Sequence, residues 1–320
     1  DNRPDEAITY FDKVIQKQPE HYNANWSRAL AYLQKGNYRE GLKGYEWRLK
    51  TNEIPKFNFT QPRWNGDMAK DKTLLLTTEQ GFGDVIQFSC FISSVSVCVK
   101  EVVIECRPEL MRLLKGVDGV KLVIKRGDPL PHFDIHCPLL SLPHVLEIEL
   151  DTLSGNMPYI NIPPVNTNAI PELNTSRLKV GLAWAGKLTP CDRSCPLELF
   201  FPLLSSTNID FFSFQLEPRR DDIEKLKATA FINDMAPYIN NFADTAALLQ
   251  HMDLLITIDS AIAHLAGGLG VPTWTLLLHA ADWRWLLNRD DTPWYPNMRL
   301  FRQHRHHHWE CCMEQVKNAF

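Results

Sequence analysis

Short, unbroken apolar runs separated by helix-like stretches constrain this chain most, and the alternation occurs twice. Thr73-Leu74-Leu75-Leu76-Thr77 is apolar throughout, as a strand buried on both faces must be. A helix-like stretch from Val85 to Val97 follows, then strands at Glu101–Cys106, Val120–Ile124 and Phe133–His136, with a proline-opened helix from Pro108 to Leu114. The pattern restarts at Lys179–Trp184. It continues through a helix at Leu197–Leu204, a strand at Ile209–Phe214, a helix at Arg219–Ala228 and a strand beginning at Phe231-Ile232. A helix at Asp244–Met252, a strand at Leu254–Ile258, a helix at Ala261–Leu269 and a last clear strand at Thr273–Leu278 complete it. Such alternation predicts an α/β protein of two Rossmann-type, doubly wound domains, at 73–168 and 169–320, the second closed by a C-terminal helix. A polar joint from Pro163 to Thr175 separates them. Ligands bind outside the carboxyl ends of parallel strands, so both halves should face a shared cleft.

Residues 1–50 follow another rule. Ala7-Ile8-x-x-Phe11-x-x-Val14 recurs as Gly41-Leu42-x-x-Tyr45-x-x-Arg48 at an offset of 34 residues, the tetratricopeptide (TPR) period. Pro19 falls at a helix end, and Gly36-Asn37 at the turn between two helices. So short an array cannot bury its own core, so it packs on the following domain or continues upstream. The polar first residues, without Met, suggest a piece of a longer protein. A linker, 51–72, carries Pro55, Pro62, Gly66, Phe57, Phe59 and Trp64, and its rings should pin it to a surface.

Composition narrows the partners. A net charge of −4 and a pI near 6.3 supply no basic field for nucleic acid. No apolar run is long enough for a membrane span, and no signal peptide opens the chain. Eight cysteines without a Cys-x-x-Cys pair read as reduced thiols in a cytoplasmic protein. The His304-Arg305-His306-His307-His308-Trp309-Glu310-Cys311-Cys312 tail fits no zinc spacing and reads as a surface loop.

Four stretches after strands can carry chemistry. In Gly81-Phe82-Gly83-Asp84 the glycines, Gly83 among them, admit a close backbone approach, and Asp84 is either a helix cap or a general base. In Asp259-Ser260-Ala261-Ile262-Ala263-His264, a helix start can hold a diphosphate, with His264 facing either cleft or sheet. Gly186-Lys187 with Arg193 places two cations where a leaving diphosphate develops charge, or two solvated cations on a loop. Gln215 can hydrogen-bond a base or phosphate. The paired aspartates Asp221-Asp222 and Asp290-Asp291 do not directly follow strands, so no metal and no other cofactor is expected.

Taken together, these residues resemble bacterial TPR-containing glycosyltransferase-like proteins related to glycosyltransferase family 9, the ADP-heptose:lipopolysaccharide heptosyltransferases. The resemblance rests on Glu79–Phe88, His136–Pro143, Val180–Gly186, Asp259–Gly267, Asp282-Trp283-Arg284-Trp285 and Pro293-Trp294-Tyr295-Pro296. It implies a GT-B fold and a metal-independent, inverting transfer from a nucleotide sugar to a glycan or protein hydroxyl. Asp84 would be the catalytic base and Lys187 the diphosphate lysine. Ala261 stands where the family pattern has glycine, Cys90 where relatives often carry a basic residue, and Pro190, Cys191 and Cys195 alter the lysine loop. A protein acceptor could dock on the TPR segment. Two other classes remain open: a non-catalytic scaffold with a degenerate GT-B module, and a sugar-nucleotide epimerase.

Overall fold

The computed structural model describes all residues except 1, 53, 55, 154–156, 163–172, 174, 189–190, 218 and 307. Most of the 163–175 joint therefore lies outside the described residues, as do Pro55, Pro190 and His307. The first sheet has four parallel strands, β1 (Ala69–Thr77), β2 (Val99–Cys106), β3 (Val120–Lys125) and β4 (Ile135–Pro138), in the order β3-β2-β1-β4. The second has six: β5 (Leu178–Ala183), β6 (Ile209–Ser213), β7 (Ile232–Asp234), β8 (Leu254–Ile258), β9 (Thr273–Leu277) and β10 (Met298–Arg302). Their order is β10-β9-β8-β5-β6-β7, again all parallel.

Strand alternation sorts the side chains. In β1, Leu74 and Leu76 point into the largest core, while Leu75 joins Val103 and Phe133 on the other face. The 51–72 segment covers that second face: the Phe59 ring lies 5.2 Å from Phe133 and 5.0 Å from His136. Trp64 is buried, its indole donating to the Asp67 carbonyl. In the second sheet, Val180, Leu182, Ile256 and Ile258 turn toward a separate core closed by the C-terminal helix Trp309–Ala319 through Trp309, Met313 and Val316. That helix carries Trp309, Glu310, Cys311 and Cys312, so the end of the tail read as a surface loop is helical.

Three helices open the chain: Pro4–Lys17, Tyr22–Gln34 and Tyr38–Tyr45, the last continuing as a 3-10 turn, Glu46–Lys50. Pro19 lies between the first two. Gly36, at φ +83°, makes the turn into the third, a conformation that favours glycine. Leu33, Tyr38, Leu42 and Tyr45 join the same core as β1 and as Trp283 and Trp294 of the second half. The Trp294 indole donates to the Tyr38 hydroxyl at 3.1 Å. Arg48 is fully buried. It donates to Glu79 at 2.7 Å and Ser141 at 2.8 Å, tying these helices to the loop after β1. The helical segment is thus wedged against both halves of the molecule.

Several elements depart from the sequence reading: β1 begins at Ala69, inside the stretch read as linker, and the 108–114 and 197–204 helices each open with a 3-10 turn. The 85–97 helix is broken into Phe82–Phe88, a 3-10 turn at Ser89–Phe91, and Ile92–Ser96. The 219–228 helix shrinks to Asp222–Lys225, followed by Lys227 in the left-handed region. Strand β10 was not anticipated.

Candidate functional site

All strands within each sheet run parallel, so the loops carrying chemistry gather at their carboxyl edges. From β1 the chain passes through Gln80, at φ +62°, into the short helix Phe82–Phe88. The Gly81 amide donates to Asp84 Oδ2 at 2.8 Å, so Gly81 is the cap residue and Asp84, three residues on, reaches back to hold it. Its second oxygen is held from the other half of the molecule: Arg284 Nη2 donates to Asp84 Oδ1 at 2.5 Å. Arg284 is buried, with further bonds to Asp282 Oδ1 at 2.9 Å and Gln87 Oε1 at 2.5 Å. Its guanidinium lies 4.6 Å from the Trp283 ring centroid. Burial would raise the Asp282 carboxyl, but Arg284 beside it brings it below the usual carboxylate range.

Gly83 is a contact between the halves. A Cβ there would fall 2.8 Å from His264 Cδ2 and 3.3 Å from the Ala261 Cα, so only glycine lets helix Phe82–Phe88 meet helix Ala261–Leu269 this closely. Ser260, extended at φ −152°, precedes that second helix, and its side chain makes no capping bond. His264 is buried in it. Nδ1 lies 3.0 Å from the Tyr295 hydroxyl and the ring stacks on Trp285 at 5.3 Å. Burial, helped by Arg284, pushes its pKa down to about 3, so the imidazole is neutral near pH 7. Asp259, also buried, accepts from Arg193 Nη1 at 3.1 Å. Burial outweighs that cation and holds its carboxyl above the usual range.

The β5 loop supplies the remaining predicted residues. The Gly186 amide donates to Ser194 Oγ at 3.3 Å, and Lys187 is exposed. Gln215 is turned inward: Oε1 accepts from the Trp184 and Ala185 amides at 3.1 and 2.8 Å, and Nε2 donates to the Ala185 and Leu216 carbonyls. In this structure it laces the loops after β5 and β6 together, and its amide has no side left facing a ligand. Of the paired aspartates, Asp221 pairs with Lys225, Asp222 accepts from the Trp184 indole, and Asp291 pairs with Arg289.

Gly83, Asp84, Asp259, Ala261, His264 and Arg193 therefore come together, Lys187 shares the Arg193 loop, and Gln215 stands behind it. The sequence reading missed Arg284, Gln87 and Asp282 as site residues. For Arg284 and Asp282 the signal was the Asp282-Trp283-Arg284-Trp285 run, a cation flanked by indoles, which received no role; Gln87 lay in the Glu79–Phe88 run with nothing local to mark it.

Two parallel α/β lobes with chemistry-bearing loops at facing carboxyl edges define the class: a GT-B-like architecture. Residues 217–318 match the model of glycosyltransferase family 9 (heptosyltransferase). The glycosyl transferase family 9 structure from Veillonella parvula aligns with a TM-score of 0.58 at 13% identity, over 75% of this chain and 88% of that one. The E. coli ADP-heptose LPS heptosyltransferase II aligns at 0.55 and 12%, over 77% and 96%. Among curated proteins, FlbA of Caulobacter vibrioides is 25% identical over 340 residues, covering 92% of this chain and 54% of that protein. The chain thus spans about half the length of this relative.

Proposed function

We propose that the chain is a glycosyltransferase that moves a sugar from a nucleotide-sugar donor to a hydroxyl of a glycan or protein. One observation carries the reading: Gly83-Asp84, after β1, meets the start of helix Ala261–Leu269, after β8, across the seam between the halves. A carboxylate there takes the proton of the acceptor hydroxyl. The oxygen then attacks the anomeric carbon, the bond to the diphosphate oxygen breaks, and the nucleotide leaves as an anion. Lys187, Arg193 and the amides at Ser260-Ala261 neutralise that anion without a metal. Attack opposite the leaving group inverts the anomeric centre. The N-terminal helices are read as the end of a TPR array on which a protein acceptor docks, in a protein of the cytoplasm.

A second reading, a non-catalytic binding module, draws on a different fact: both Asp84 oxygens are already engaged, one by a buried arginine. A thermal-shift screen against UDP, GDP, ADP, CMP and dTDP, with and without magnesium, separates the two. A ligand that binds only the folded state raises the melting temperature. The transferase reading expects one diphosphate to act, independently of magnesium, with the shift reduced in Lys187→Ala. No response to any of them in folded protein rejects the donor site.

A further inference from the structure

The helix Tyr38–Tyr45 reaches the site from outside both sheets, and its last residue touches the neighbours of both tethers of Asp84, Gln80 beside Gly81 and Trp283 beside Arg284. Tyr45 is buried, and burial raises its phenol to about 12, so it stays protonated. Its hydroxyl lies 3.1 Å from Gln80 Oε1 and 2.9 Å from Gln80 Nε2. Gln80 is a non-glycine residue in the left-handed region, a conformation that persists only where surroundings enforce it. Its carbonyl is held by Arg107 Nη2 at 2.5 Å, and the next residue, Gly81, donates to Asp84 Oδ2. On the other side, the Tyr45 ring meets Trp283 at 6.1 Å and 60°. Trp283 is the platform of Arg284, which grips Asp84 Oδ1. Arg48 clamps the arrangement, its guanidinium 4.6 Å over the Tyr45 ring and bonded to Glu79. Both oxygens of Asp84 therefore trace back through two residues to one tyrosine.

We infer that Tyr45 is a positioning residue for Asp84, acting through the Gln80 turn, so that the third helix belongs to the site's machinery as well as to any docking surface. Removing the hydroxyl leaves the Gln80 amide without that partner and lets the strained turn relax, freeing the Gly81 amide from Asp84.

Hydrogen exchange of the whole chain, read on peptide 79–88, tests this directly. Tyr45→Phe, and Gln80→Met from the other end of the bond, should each raise exchange in that peptide about tenfold or more. Strand β8 should stay protected, and Tyr10→Phe, at an exposed tyrosine, should change nothing. Unchanged protection in Tyr45→Phe overturns the inference, and so does an equal rise in every peptide, which marks a merely structural role.

The kinetic arm rests on the transferase reading. With the donor class found by thermal shift, Tyr45→Phe should lower kcat about tenfold with donor KM within about twofold. Adding it to Asp84→Asn should cost nothing more. A loosened loop with unchanged kcat refutes positioning. A wild-type chain that transfers no sugar, while the exchange response holds, sinks the transferase reading and leaves the tether standing.

Discussion

Replacing Arg284 by Met tests the central contact between the two halves. The guanidinium is buried and serves three acceptors, Asp84, Asp282 and Gln87. Methionine fills most of the stem's volume but leaves two carboxylates and one amide oxygen without their donor. Breaking a buried ion pair by removing one partner costs about 3–5 kcal/mol. The Asp84 and Asp282 side chains retain 21% and 36% exposure, so water recovers part of the loss and the lower end, about 3 kcal/mol, applies. For a chain of this length 1 kcal/mol is worth about 2 °C, so the melting midpoint should fall by roughly 6 °C. Scanning calorimetry of wild type, Arg284→Met, Asp84→Asn and the double variant gives both the shift and the coupling. Residues in direct contact should couple by about 0.5–3 kcal/mol. A midpoint within about 2 °C of wild type, or strictly additive effects, would refute the claim that this arginine holds the halves together.

Three further outcomes follow from the same geometry. Gly83→Ala pushes a methyl against a His264 ring pinned by Tyr295 and Trp285; overpacking of about 1–3 kcal/mol, offset by up to about 1 kcal/mol of helix propensity, should lower the urea midpoint. A midpoint at or above wild type would mean the two helices part freely. His264 binds its proton far more weakly folded, near 3, than unfolded, near 6.5, so its contribution is complete above about pH 6.5 and drains away as pH falls toward 3. The stability of wild type relative to His264→Gln should therefore fall by up to about 1.4 kcal/mol per pH unit in that window, and a flat difference contradicts the burial argument. Gln215→Ala orphans the Trp184 and Ala185 amides and should cost about 2–4 kcal/mol in urea denaturation, whereas a loss under 1 kcal/mol would show that water replaces the bracket.

Much of the fold was legible because its signals are local. Leu254–Ile258 and Ala261–Leu269 match the structure residue for residue, since a nearly unbroken apolar run and the small and apolar helical stretch just after it both declare themselves in a short window. Met298-Arg299-Leu300-Phe301-Arg302 was missed because an edge strand with two arginines among its five residues does not form an apolar run. The site divides the same way. Asp84 and Asp259 stand out by following strands, but the partner of Asp84 lies 200 residues away, and no spacing encodes that pairing. Arg48 was aligned only as a repeat position; its burial against Glu79 is a tertiary fact. Gln215 read as a free polar tip because nothing local reveals that four backbone groups will claim its amide.

The wedge of N-terminal helices also bears on how such a chain can be recombined. The repeat period suggests a module that could be exchanged or dropped at residue 50. The packing says otherwise: losing Tyr38–Lys50 would strip the cover from Trp283 and Trp294 and strand the Glu79 carboxylate without its arginine. The helix Tyr22–Gln34 belongs to the same wedge, since Leu33 sits in that core and the helix packs on the Trp283–Trp285 turn, whereas Pro4–Lys17 packs mainly on Tyr22–Gln34. The seam along which an unrelated repeat array can be grafted onto this double sheet therefore falls further toward the N-terminus, between Pro4–Lys17 and Tyr22–Gln34, near Pro19.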